Sequence, residues 1–146
     1  MALTKKQLEY QREWRKQNPK KFAQQQQKTK ESLNRKLEED LNFFVNYTYK
    51  SLKSGASARN ISFRLSKRQL YNFVITHPRC ELSGRLLTRK TGCPNRFSVD
   101  RINSRYGYSI KNIQAVVRLY NMAKGDNSDD VMTELCKDVA KHSQKK

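Results

Sequence analysis

FSVDRINSRYGYSIKNIQAVVRLYNMAK, residues 97–124, is the stretch that decides how the rest of this chain is read. Phe97 and Val99 alternate with Ser98 and Asp100, the period of a strand with one buried face, so a strand ending at Asp100 is predicted. The loop that follows, NSRYGYSIK, is basic and turn-rich. Ile113, Ala115 and Val117 alternate in turn and predict a second strand. A short helix then carries Asn121 and Lys124, one helical turn apart. Strand, loop, strand and helix thus gather Asp100, Asn112, Asn121 and Lys124 around one Gly-containing turn.

Towards the C-terminus, Ser128 is placed to cap a helix over SDDVMTELCKDVAKH, with acids in its first turn and Lys141 and His142 near its last. Towards the N-terminus, RLLTRKTGCPNR reads as a basic loop and CELSG, residues 80–84, as a knuckle-like turn. Ser66 caps a helix running to about Thr76, with Leu70, Phe73 and Val74 inward, and His77-Pro78 ends it. Ile61, Phe63 and Leu65 predict a short strand.

Further upstream, Leu33, Leu37, Leu41, Phe44, Thr48 and Leu52 mark one helix face, with a stop expected at Ser54-Gly55. That face fits either the chain's own core or a second subunit, so oligomeric state stays open. Thr4 caps a first helix over about 5–17, and Asn18-Pro19 reads as a break and restart. The first 32 or so residues have little to bury and include QQQQ at 24–27. They read as a basic helical extension that orders on a partner, or as a solvated tail. Tyr10, Trp14 and Phe22 there suit either packing or stacking on bases.

The chain of 146 residues carries 31 Lys and Arg against 13 Asp and Glu, a formal charge of +18. The excess is +6 over residues 1–50, +8 over 51–100 and +4 over 101–146, so it is not confined to a tail. Such self-repulsion points to a polyanionic partner, nucleic acid first and an anionic membrane surface second. No apolar run approaches the ~18 residues of a membrane span. The start, MALTKKQLEYQREW, lacks the apolar core of a secretory signal. Cys80, Cys93 and Cys136 form no CxxC pair, and an odd count without a signal predicts reduced thiols in a cytoplasm.

Phosphodiester cleavage needs a nucleophilic water, neutralised phosphate charge and help for the leaving oxygen. A divalent metal can supply the last two. Mg²⁺ takes oxygen ligands, typically one or two from protein. Asp100 and the side-chain carbonyl of Asn121 fit that need. Asn112 is placed to tie down the loop, and Lys124 to reach a phosphate.

These residues resemble the HNH, or His-Me finger, nucleases over about residues 80–124. That family's ββα-metal element reads Asp-His ending strand one, Asn opening strand two, and Asn or His followed three residues later by Lys on the helix. SVDRI, then GY, then the later NxxK, look like small phage-encoded HNH proteins in particular, as does the basic lead-in at 10–30. The resemblance implies Asp100 and Asn121 as ligands of Mg²⁺ or Mn²⁺, Asn112 as the loop-ordering Asn, and Lys124 as the helix Lys. It implies a host cytoplasm if the chain is phage-encoded.

Two departures from the family's pattern stand out. Its zinc-holding CxxC pairs fall here on Cys80 and Ser83, then Val117 and Tyr120, so no structural zinc is expected. Packing of Leu82, Val117 and Tyr120 is expected instead. Arg101 stands where the family keeps its general-base His. Arginine stays protonated in proteins and cannot accept that proton, although it can bind phosphate or stabilise developing charge. His77 and Glu81 are the candidate substitutes.

The expectation is an α+β protein: a basic helical extension over 1–55, then an HNH-like domain over 56–146 with a ββα-metal core and a closing helix. Its expected activity is metal-dependent nicking or cleavage of double-stranded DNA. The candidate catalytic set is Asp100, Arg101, Asn112 and Asn121. Arg85, Arg89, Lys90, Arg96, Arg105, Lys111 and Lys124 are the candidate DNA contacts, within basic stretches at 59–68, 85–96 and 105–111. The alternatives are a catalytically impaired DNA-binding or regulatory protein on the same fold and, third, an RNA-binding protein.

Overall fold

In the computed structural model, residues 4–143 are described. They form six helices and one two-stranded antiparallel sheet, an α+β arrangement. No described helix is long and apolar enough to cross a membrane. The chain divides into two compact units, Met1–Lys36 and Leu37–Lys146.

The first unit holds helix α1 (Lys5–Gln17) and most of helix α2 (Pro19–Glu39). Thr4 and Gln7 form a reciprocal capping box, which satisfies two backbone donors at the start of α1. Asn18 closes α1 through its backbone N–H, which donates to the Trp14 carbonyl at 2.9 Å. Pro19 then opens α2 at the one helical position where a missing N–H costs nothing. Across this break the Arg15 guanidinium lies 5.0 Å from the centroid of the Phe22 ring. Tyr10, Trp14 and Phe22 line one cleft of about 420 Å³. No described residue before Leu37 is buried.

The second unit begins with the last turn of α2, where Leu37 is buried. A continuous helix to about residue 52 was predicted, but the chain breaks at Asp40. The Asp40 carboxylate accepts from Phe43 N at 2.9 Å and caps a new helix, α3 (Leu41–Ala58). A short acid that bonds its own backbone offers the chain an alternative to helix, and here it overrides the apolar repeat. The expected stop at Ser54-Gly55 does not occur either. α3 runs on while Arg59 Nε donates to the Gly55 carbonyl at 3.0 Å, and Asn60 supplies the left-handed residue, φ 54°, that ends it.

Residues 61–65 do not form the predicted strand. They make one bridge, Phe63 to Tyr108, with Tyr108 N donating to Ser62 O and Arg64 N to Tyr108 O, each at 2.8 Å. Gly107 permits this approach, because a Cβ there would run into the Ser62 carbonyl. Helix α4 (Lys67–Thr76) is capped by Ser66 as expected, through a capping box with Gln69, and packs on α3.

Strands β1 (Phe97–Arg101) and β2 (Ile113–Val117) pair antiparallel, with Asp100 opposite Gln114 and Arg101 opposite Ile113. All five β2 residues are buried: helix α5 (Arg118–Lys124) packs back on both strands, and Cys80 and Leu87 pack with Val116 and Val117. Glu81 covers β2 as a third strand would: its N–H donates to Ala115 O at 2.9 Å, and its Oε1 accepts from Ala115 N at 2.6 Å. Phe97 binds the hairpin to the helices, with its ring edge-on to Phe44 at 5.9 Å and to Phe73 at 6.4 Å. Helix α6 (Asp129–Ser143) starts where Ser128 Oγ accepts from Val131 N, and it buries Met132.

Candidate metal and nucleic-acid site

Gln114 is the one polar residue in the apolar run IQAVV, and it is buried, so its amide needs partners. Its Nε2 donates to Asp100 Oδ2 at 2.9 Å and to Asp129 Oδ2 at 2.8 Å. Lys124 approaches the same two acids from α5. Its Nζ lies 2.7 Å from Asp100 Oδ2 and 2.9 Å from Asp129 Oδ1, and also donates to the Arg101 carbonyl at 2.9 Å. The Tyr120 hydroxyl completes the group by donating to Asp129 Oδ1 at 2.7 Å. Two carboxylates and one ammonium leave a formal charge of −1 at the meeting point of hairpin, α5 and α6.

Burial alone would push the Lys124 ammonium down. The hydrogen bonds and charges of Asp100 and Asp129 outweigh it and hold Lys124 above its ordinary 10.5. Burial likewise works against the Asp129 anion. Hydrogen bonds from Tyr120, Lys124 and Gln114 reverse that and hold Asp129 below 3.8. The Tyr120 phenol is pushed up, first by burial and then by donating to Asp129.

Asn121 is anchored on the same strand as Asp100. Its Nδ2 donates to Ser98 Oγ at 2.8 Å and to the Val99 carbonyl at 3.1 Å. With the amide nitrogen held there, the amide oxygen is the atom left for a ligand. Asp100 presents a similar choice: Oδ2 takes both Gln114 and Lys124, which leaves Oδ1. One carboxylate oxygen and one amide oxygen, both tied to β1, suit a hard divalent cation that draws its remaining ligands from water and phosphate. The hydrogen bonds behind Asp100 resemble the outer shell that orients a ligating carboxylate. Among the described residues no group of three or more His, Cys, Asp or Glu is arranged to hold a metal. An ion at this corner would rest on these two oxygens.

The loop is held from both ends. Asn112 Oδ1 accepts from Asn103 N, and its Nδ2 donates to Asn103 O and Gly107 O, all at 3.0 Å. Arg101 works from beneath. It is only 7% exposed, and its NH1 donates to the Ser104 carbonyl at 2.6 Å and the Tyr106 carbonyl at 3.2 Å. Its guanidinium also lies 5.5 Å from the Tyr108 ring and 3.4 Å from the well-exposed Asp126 carboxylate.

Two sequence expectations are corrected by this geometry. Lys124 is wholly buried on two acids and does not reach out to a phosphate. Arg101, expected at a phosphate, is buried and engaged with the Ser104 and Tyr106 carbonyls of the loop. Arg89 is also partly committed, since its Nε and NH2 donate to the Glu38 carbonyl at 3.0 and 2.6 Å and close the end of α2. Arg85, Lys90, Arg105 and Lys111 are exposed and, among the described residues, have no acidic partner. Arg96 is half-buried and sits beside Arg118.

His77 and Glu81 already have structural work. His77 Nδ1 lies 2.9 Å from the Phe73 carbonyl, with the ring stacked on Phe73 at 4.3 Å, and Glu81 holds β2. Cys80 packs with Val116, Val117, Leu87 and Tyr120. Leu87 takes the place expected for Leu82, which is exposed. Gln114, Asp129 and Arg118 were not singled out from sequence, Tyr120 was expected only for packing, and Ser98 only as an alternating strand residue. Only Gln114 carried a signal, as a polar residue inside an apolar strand.

No model of a known protein family matches this chain, and no curated protein or solved structure matches it.

Proposed function

We propose that the protein is a metal-dependent DNA endonuclease of the HNH type, its hairpin and α5 forming a ββα-metal element. The observation that carries this reading is that Asp100 of β1 and Asn121 of α5, which is bonded to the same strand at Ser98 and Val99, each have one side-chain atom anchored and one oxygen left over. The charge of +18 supports a polyanionic substrate.

In this reading Asp100 and Asn121 would hold Mg²⁺ or Mn²⁺. A bound ion supplies charge neutralisation on the phosphate and a water of lowered pKa. The chain's own residues set the frame. Gln114 and Lys124 fix the rotamer of Asp100, Ser98 and Val99 fix that of Asn121, and Asn112 with Arg101 holds the loop beside them. Arg85, Lys90, Arg105 and Lys111 are free to contact the backbone, which positions DNA without reading its sequence.

The purified chain is expected to nick supercoiled plasmid with Mg²⁺ or Mn²⁺, and Asp100→Ala to abolish nicking. A variant that cut as fast as the parent would remove Asp100 from the site. A second reading, DNA binding without cleavage, is favoured by one observation: position 101 offers a protonated guanidinium already tied to carbonyls and no proton acceptor. Retained duplex binding with no cleavage under either metal would select it. Binding confined to RNA would overturn both.

A further inference from the structure

Arg96 ends the loop before β1, and Arg118 opens α5 after β2. The hairpin register brings them together, and Arg118 N donates to the Arg96 carbonyl at 2.7 Å. Both residues line a cleft of about 250 Å³, together with Tyr47, Thr48 and Ser51 of α3 and Ser98 of β1. Among the described residues neither arginine has a carboxylate within ion-pair distance. We infer that Arg96 and Arg118 form a shared seat for one backbone phosphate of a bound DNA strand, next to the Asp100–Asn121 corner.

Arg96 is half-buried and Arg118 exposed, and their like charges oppose each other at the cleft until an anion joins them. Arg96 shows that cost: burial first, and the neighbouring Arg118 charge second, hold its pKa below the ordinary guanidinium value. Guanidinium forks match phosphate oxygens in pairs, and the hydroxyls of Thr48 and Ser51 add donors on the facing wall. Ser98 joins the seat to the corner, because it lines this cleft and its Oγ accepts the hydrogen bond that orients Asn121. A phosphate held here lies along the strand from the one presented to Asp100 and Asn121. The inference rests on the proposed DNA-acting function.

The test is duplex binding to the full chain in EDTA, read by fluorescence anisotropy over a series of salt concentrations. Arg96→Gln and Arg118→Gln are each expected to weaken binding several-fold. The double variant should lower the slope of log K against log salt by about 0.9, the worth of one phosphate. A loss of about 1.8 would mean two separate contacts and overturn the shared seat. Unchanged affinity and slope in the double variant, with the parent still binding DNA, would also overturn it while leaving the proposed function intact. A parent chain that does not bind duplex DNA at all would instead overturn the proposed function. Inorganic phosphate at matched ionic strength should leave DNA affinity unchanged, and competition by it would assign the cleft to small anions. Arg118→Gln should melt no lower than the parent, because it removes a like-charge neighbour, and a marked fall would make Arg118 a structural residue instead.

Discussion

Lys124 sits in a cage of oxygens drawn from Asp100, Asp129 and the Arg101 carbonyl, and its removal would leave the buried Asp100 facing the half-buried Asp129 with no cation between them. Breaking a buried pair by deleting one partner typically costs ~3–5 kcal/mol, because the charge left behind has no compensation. Lys124→Met is therefore expected to lose about that much stability in denaturant unfolding, and Asp129→Asn in the same chain to restore part of it. A Lys124→Met variant as stable as the parent would show that the cage is not holding the fold. The same cage sets a pH window. Asp129 is held below 3.8, so its contribution is present above that pH and is lost as acid takes the solution down through its folded value. Lys124 is held above 10.5, so its contribution is present below 10.5 and is lost as pH rises through its folded value. Melting temperature should be flat between these limits with respect to this cluster, and Asp129→Asn should flatten the acid limb. An acid limb unchanged in that variant would place the acid sensitivity elsewhere.

The hairpin and its helix were legible as elements because their apolar residues keep a simple period, and Ser66 and Thr4 announce their helices by capping boxes. The break at Asp40 was not, since Leu37, Leu41 and Phe44 hold one helical face on both sides of it and only the Asp40 hydrogen bond tells the two helices apart. Residues 61–65 misled for the opposite reason: they alternate like a strand, but a single bridge at Phe63 is all their partner loop offers. Asp100, Asn121 and Asn112 could be placed on one hairpin-helix corner by spacing along the chain. The inward turn of Lys124 could not, because it depends on Asp129, which the sequence showed only as an acid at a helix start. Gly107 shows how closely these pieces meet. A methyl group there meets the Ser62 carbonyl, a backbone atom that cannot rotate away. Gly107→Ala should cost ~1–3 kcal/mol as the 61–64 segment or the loop gives way. If unfolding by denaturant shows no loss, the loop must have room that this packing denies.

Across the whole molecule, burial and charge are distributed differently. No described residue before Leu37 is buried, while residues 1–36 carry 11 basic groups against 3 acidic ones, a net +8 of the total +18. A segment that buries almost nothing adds little to a core, but each cation it places on a phosphate releases a counterion and adds to the salt dependence of binding. Stability and DNA affinity should therefore separate on truncation. A chain comprising residues 37–146 keeps every buried residue of the described fold and a net charge of +10. It is expected to melt close to the full chain, to bind duplex DNA more weakly, and to show a shallower dependence of log K on log salt. Each lost phosphate contact should remove about 0.9 from the slope, so the change counts the contacts made by the first unit. An unchanged slope would mean that the first 36 residues make no contact with the strand and that their charge serves something other than DNA. A large fall in melting temperature would instead mean that they support the second unit, despite having no buried residue of their own.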